Sequence, residues 1–171
     1  MLDAPEFVSP SPTNDAMKAR EVALAEKKTP SAFKVKGQLL KQGRTDQVLA
    51  ATDDLTLRLK IYASGGENEL HAHPGEDHSF VILQGSARFY GPDGETIELG
   101  PHEGIMLPRG TFYRFNATSS EPLVMLRVGN PNHRKQAKPT RINIRGEEMK
   151  GDSKENKSVP VIPLEGRFFG G

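Results

Sequence analysis

The chain has 171 residues, enough for one domain with appendages, and its net charge of +1 gives no overall reason to expect nucleic acid or a membrane surface as a partner. It has no cysteine, which excludes disulfides and thiolate metal sites, so any metal must bind through His, Asp, Glu or Tyr. Apolar residues make up only 35% while Gly and Pro number 17 and 13, a balance that disfavours long helices and favours short strands joined by tight turns.

Residues 1–13 are proline-rich and unpatterned, so they should be loose unless something holds them. Residues 13–28 read as a helix, capped by Thr13, Asn14 or Asp15 and ended by Pro30. The N-terminus lacks the basic region and apolar run of a signal peptide, and no apolar run approaches a membrane span, so a cytoplasmic protein is expected.

From residue 32 the texture is that of an all-β domain. In DLTLRLKIY, residues 54–62, Leu55, Leu57, Leu59 and Ile61 share one face and Thr56, Arg58, Lys60 and Tyr62 the other. The polar face is expected to look outward, as a solvated face or a subunit contact; the alternative is that it lines the pocket and holds a carboxylate or phenolate substrate. ELHAH and HSFVILQG read as strands around a PGED turn, and GPDG between SARFY and TIELG is a hairpin signal. IMLPRG, FYRFNA and PLVMLRVG complete a series spaced as in a barrel or sandwich. Arg127, among the apolar residues of the last, is either paired in the interior or placed at an open barrel end, and is a candidate substrate contact. After Gly129 basic residues outnumber acidic ones. The polar stretch KGDSKENKS leads into VPVIPLEGRFF, whose prolines rule out a central strand and whose apolar residues predict docking along the barrel or across a neighbouring subunit. The organisation expected is an N-terminal arm and short helix (1–31), a β-barrel (32–129) and an extended C-terminal arm (130–171).

Three of the five histidines, His71, His73 and His78, lie within eight residues. His71 and His73, two apart on a strand, leave the same face, and an antiparallel partner beginning at His78 brings that residue beside His73 across the ladder. Three imidazoles could then converge on a metal and leave open positions for water, O₂ or substrate. The alternatives are a catalytic cluster without metal and an exposed polar surface. His102 near a turn and His133 in a polar stretch read as surface histidines.

These residues resemble the first motif of the cupin superfamily: Gly65, five residues, His71-Ala72-His73, four residues, His78, six residues, Gly85. The family usually carries Glu where His78 stands; Asp77 fits a shorter spacing, but the distance to Gly85 selects His78. A second motif is recognisable in HEGIMLPRGTFYRFNA, with Pro108-Arg109-Gly110 in place, His102 at the position of the first Gly, and Tyr113 where the family has its last histidine ligand. The resemblance implies a double-stranded β-helix (jelly-roll) barrel, a homodimer, and a divalent transition metal held by His71, His73 and His78. Fe(II) is preferred, with Zn, Ni, Mn or Cu as alternatives. The cavity would be lined by side chains such as Phe80, Ile82 and Met106, with Phe80 and Met106 as substrate contacts. Tyr113, with an ordinary pKa near 10, is better suited to moving a proton or binding substrate than to ligation. The function expected is a metal-dependent enzyme on a small organic substrate, an Fe(II) dioxygenase first. A non-redox lyase or isomerase and a non-catalytic binding module are the alternatives.

Overall fold

The structure is a computed structural model that describes residues 4–65, 67–131, 139–151 and 159–171. In chain order its elements are α1 (Asn14–Glu26), β1 (Gly37–Gln42), β2 (Arg44–Ala51), β3 (Thr56–Tyr62), β4 (His71–Ala72), β5 (Asp77–Gln84), β6 (Ala87–Tyr90), β7 (Thr96–Leu99), β8 (Gly104–Leu107), β9 (Arg114–Ala117), β10 (Leu123–Asn130), β11 (Ile142–Asn143) and β12 (Ile162–Phe169). A five-stranded sheet in the order β2-β3-β10-β5-β8 and a three-stranded sheet β7-β6-β9 share one apolar core. From the first come Tyr62, Phe80, Ile82 and Met125, and from the second Phe89, Leu99 and Phe115. Period-two burial along β5, where His78, Phe80 and Ile82 are buried, produces that inner face. This is the jelly-roll barrel that the strand spacing and the motifs predict.

The GPDG hairpin forms as expected, with Ala87–Tyr90 paired antiparallel to Thr96–Leu99 and Gly94 at positive φ. α1 begins where the sequence places it: the Thr13 hydroxyl accepts from the Ala16 N–H at 3.1 Å, and Asp15 lies in the first turn. The helix lies on β2, where Arg20 Nε donates to the Val48 carbonyl at 2.9 Å.

The outer face of the large sheet is covered as well. Leu49, Leu59, Ile61 and Val124 pack there with Leu39 and Leu40 of β1, with Val8, and with Leu164 and Phe169 of β12. The C-terminal segment therefore docks on its own chain, as a peripheral antiparallel ribbon with β1. Pro163 is tolerated in such a ribbon and would not be in a central strand. The N-terminal segment is not loose. Lys34 N–H donates to Glu6 O at 3.1 Å, Ser11 N–H to Asp46 O at 3.0 Å, and Val8 is buried in the second core. Its own barrel supplies the holding contacts.

Two expectations about strands need correction. The polar face of β3 looks inward: Arg58, Lys60 and Tyr62 line a pocket inside the barrel. Alternation separates the two faces of a strand but does not say which is inside when both are covered. The buried charges are tolerated because they are paired, Arg58 with Glu21 of α1 and with Asp46, and Lys60 with Asp46 at 2.5 Å. Second, β4 does not form a hairpin with β5. It pairs with β11 and bridges to Tyr113, where His71 and Tyr113 exchange backbone hydrogen bonds at 3.1 and 2.9 Å. No helix among the described residues is long and apolar enough to cross a membrane.

Candidate metal centre and pocket

The three histidines meet without a shared ladder. Ring centroids of His71 and His73 are 5.1 Å apart and those of His73 and His78 4.3 Å. His71 and His78 are buried. His71 Nδ1 lies 2.7 Å from the Glu69 carbonyl and His73 Nδ1 3.0 Å from the Thr140 carbonyl. A carbonyl only accepts, so Nδ1 carries the proton in both rings and each Nε2 presents a lone pair. This is how backbone acceptors orient metal-binding imidazoles. All three rings stay neutral at neutral pH. Burial, aided by the Arg141 charge at His71 and by neighbouring cationic groups at His73, holds those two well below the ordinary histidine value. Burial and the Arg127 charge lower His78 to about 4.

The group of donor atoms that converges is His73, Glu76 and His78, one atom from each lying within 4.8 Å of the others. Glu76 was not singled out from the sequence. It sits in the PGED turn and is buried, with Oε2 at 3.0 Å from His78 Nε2. Arg127 Nη2 donates to Glu76 Oε1 at 2.6 Å and to His78 Nε2 at 2.5 Å. Since a guanidinium only donates, His78 Nε2 is unprotonated and His78 Nδ1–H donates to the Tyr113 hydroxyl oxygen at 3.2 Å. Burial, the largest single influence, would raise the Glu76 pKa, but the Arg127 charge, the hydrogen bond with His78 and the Arg58 charge together outweigh it and keep the carboxylate ionised. Two lone pairs 3.0 Å apart need a positive charge between them, and the Arg127 guanidinium supplies one here. The donor set suits a divalent metal on the same grounds: two neutral imidazoles and one carboxylate on a common point. The sequence contained a signal for Glu76. A charged residue in the middle of PLVMLRVG, if it is paired in the interior, needs a buried carboxylate, and the histidine-rich turn holds one.

Room for Glu76 comes from Gly129, which faces His78 across β10 and β5. A Cβ there would run into Glu76 Oε1 and come within 3.0 Å of Arg127 Nη1.

The remaining sequence-derived site residues fall as follows. His71 Nε2 accepts from Arg141 Nη2 at 3.1 Å, and becomes available to a metal only when Arg141 withdraws. Tyr113 is buried beside His71 and His78 and lines the pocket; burial pushes its phenol pKa above the ordinary value, so it is a neutral hydroxyl. Phe80 and Arg127 line the pocket too. Met106 does not: it is 64% exposed on β8. In the β5–β8 register Met106 faces Ser79, while Ile105 faces Phe80 and Leu107 faces His78. Inward parity therefore belongs to Ile105 and Leu107, and Met106 is withdrawn as a cavity residue. Asp77 points away from the cluster and pairs with Arg109 at 2.5 Å, which supports the choice of His78 as the inward residue. His102 is exposed in a turn with φ 71°. His133 lies outside the described residues.

The pocket has a volume of about 60 Å³, and its wall is Tyr62, Phe80, Tyr113 and Phe115 together with basic side chains.

Residues 58–129 match the Cupin domain family model. Protein YdbB of Bacillus subtilis (strain 168) is 28% identical over 75 residues, 44% of this chain and 65% of that protein, so the chain covers just under two thirds of this relative's length. Among solved structures, the cupin domain of Schizosaccharomyces pombe Cnp3 aligns with 53% of this chain and 66% of its own, at 18% identity and a TM-score of 0.48. A cupin superfamily protein of Desulfitobacterium hafniense aligns with 51% of this chain and 76% of its own, at 25% identity and a TM-score of 0.45. Over this segment the barrel is similar to the cupin domain family.

Proposed function

We propose that this barrel is a metal-dependent enzyme for a small organic substrate, with Fe(II) held by His73, Glu76 and His78. The observation that carries the reading is the convergence of two imidazoles and one carboxylate beside a small pocket. Two histidines and a carboxylate are the ligand set of non-haem Fe(II) oxygenases, and they leave positions open. Bound iron would supply one-electron chemistry with O₂. The chain's own residues do the rest. Arg127 grips Glu76 by Oε1 and leaves Oε2 directed at the centre, and His78 Nε2 becomes available to a metal once Arg127 Nη2 withdraws from it. Tyr113, neutral and beside His78, donates a hydrogen bond to a substrate oxygen rather than acting as a base.

A non-redox lyase or isomerase is the second reading. It is favoured by the guanidinium of Arg127 at the cluster, which would stabilise an enolate-type anion without any oxidant. The two readings separate on oxygen. Protein loaded anaerobically with Fe(II) or Zn(II) is screened with small diketones, phenols and hydroxy acids. The oxygenase reading expects O₂ uptake coupled to product in the iron form only, abolished in Glu76→Ala. Turnover without O₂, or with Zn(II), overturns it in favour of the second.

A further inference from the structure

The pocket holds four cationic side chains, Arg58, Lys60, Arg127 and Arg141. Three have carboxylate partners: Arg58 meets Glu21 and Asp46, Lys60 meets Asp46, and Arg127 meets Glu76. Three carboxylates thus answer three cations. Arg141 has none among the described residues. Its contact at the site is the neutral His71 ring, to which Nη2 donates at 3.1 Å. Arg44 adds to the imbalance nearby: it is hydrogen-bonded to Asn68 Oδ1 and donates to Gly151 O at 2.6 Å, both uncharged acceptors. In the same wall Arg127 Nη1 is buried without a hydrogen-bond partner. Holding an uncompensated guanidinium out of water is costly, and a folded protein keeps one where a ligand completes the pair.

We propose that the pocket takes a small organic carboxylate, with Arg141 pairing its anionic group. Among the described residues that line the pocket the surplus is one charge, which suits a monoanion better than a phosphate dianion. A guanidinium fork matches the two oxygens of a carboxylate. Tyr62, Phe80 and Phe115 offer apolar contact to the carbon skeleton. The inference rests on the reading of this pocket as the substrate site, and it does not depend on which metal the cluster holds.

The test uses the full chain, metal-free and metal-loaded, with propionate as probe and propionamide as its neutral counterpart. Thermal shift and chemical-shift titration read binding, and elemental analysis of the same samples reads the metal. Propionate is expected to bind saturably and to raise the Tm of both forms, and propionamide to do neither. Arg141→Gln should weaken propionate binding by about tenfold or more, the loss of one charge-assisted pair. It should keep its metal and melt no lower than the wild type in the absence of probe, since a half-buried guanidinium with no carboxylate partner among the described residues has been removed. Arg141→Lys should retain part of the affinity. Equal binding of propionate by Arg141→Gln, equal binding of propionamide, or no saturable binding by the wild type would overturn the proposal. If both Arg141 variants fail to fold, Arg141 is a structural residue and the proposal fails as well. Propionate binding that depends on Arg141 in a protein that takes up no metal would support this inference while overturning the metal reading above.

Discussion

His78 shows how much one side chain depends on its surroundings. Its ring is buried, with a guanidinium on Nε2 and a phenol oxygen on Nδ1, and its pKa lies near 4 against an ordinary value of 6.5. His71 and His73 are lowered as well. Because the folded state holds these rings neutral, it binds fewer protons than the unfolded chain below pH 6.5. Their contribution to stability is complete above that value and is lost as pH falls towards about 4. Metal-free protein should therefore lose Tm progressively between about pH 6.5 and 4, and His78→Gln should flatten part of that slope; an unchanged pH profile in the variant would contradict the assignment. Tyr113 supports a separate expectation. Tyr113→Phe keeps the ring and removes only the hydroxyl, so it should cost no more than about 1.5 kcal/mol of stability by urea unfolding and should leave metal content unchanged. Turnover by the reconstituted enzyme should nevertheless fall about tenfold or more, as expected for a lost donor at a substrate oxygen.

Strand parity decides which residues reach the pocket. Placing His78 inward makes Phe80 and Ile82 inward by period two, and this was readable from the motif spacing alone. Met106 was misplaced because an isolated four-residue strand carries too little alternation to fix its phase. Its phase comes from the register with β5, a long-range pairing that the local sequence does not encode. The inward face of β3 was misjudged for a related reason. Charged residues are read as exposed by default, and the carboxylates that neutralise Arg58 and Lys60 come from α1 and β2. Two substitutions check the present placement. Met106→Lys should change stability by less than about 0.5 kcal/mol, as for an ordinary surface site. Gly129→Ala should cost about 1–3 kcal/mol and weaken metal binding, because the added methyl displaces Glu76 and Arg127. Denaturant unfolding and metal titration measure both.

At the scale of the whole molecule, the barrel class and the histidine cluster were legible because they are written as spacings: glycines at turns, alternating apolar residues, and HxH two residues apart on a strand. The carboxylate of the site was not legible in that way. Glu76 belongs to a turn, and its role depends on Arg127, 51 residues later, which reaches it only once β10 lies beside β5. Arg141 is more remote still, brought beside His71 by the two-residue pairing of β11 with β4. The covering segments follow the same logic. Val8 and Phe169 close the outer face of the large sheet because that face too is apolar. The homodimer implied by the resemblance remains a proposal; β12 already has its strand partner within the chain.

The central claim is a metal held by His73, Glu76 and His78, and elemental analysis of untagged protein, beside His73→Ala and Glu76→Ala, tests it most directly. The account predicts about one transition metal per chain in the wild type, iron when purified without oxygen, and a loss of that metal in both variants although both remain folded. A wild type that takes up no metal even after reloading, or variants that keep it in full, would contradict it.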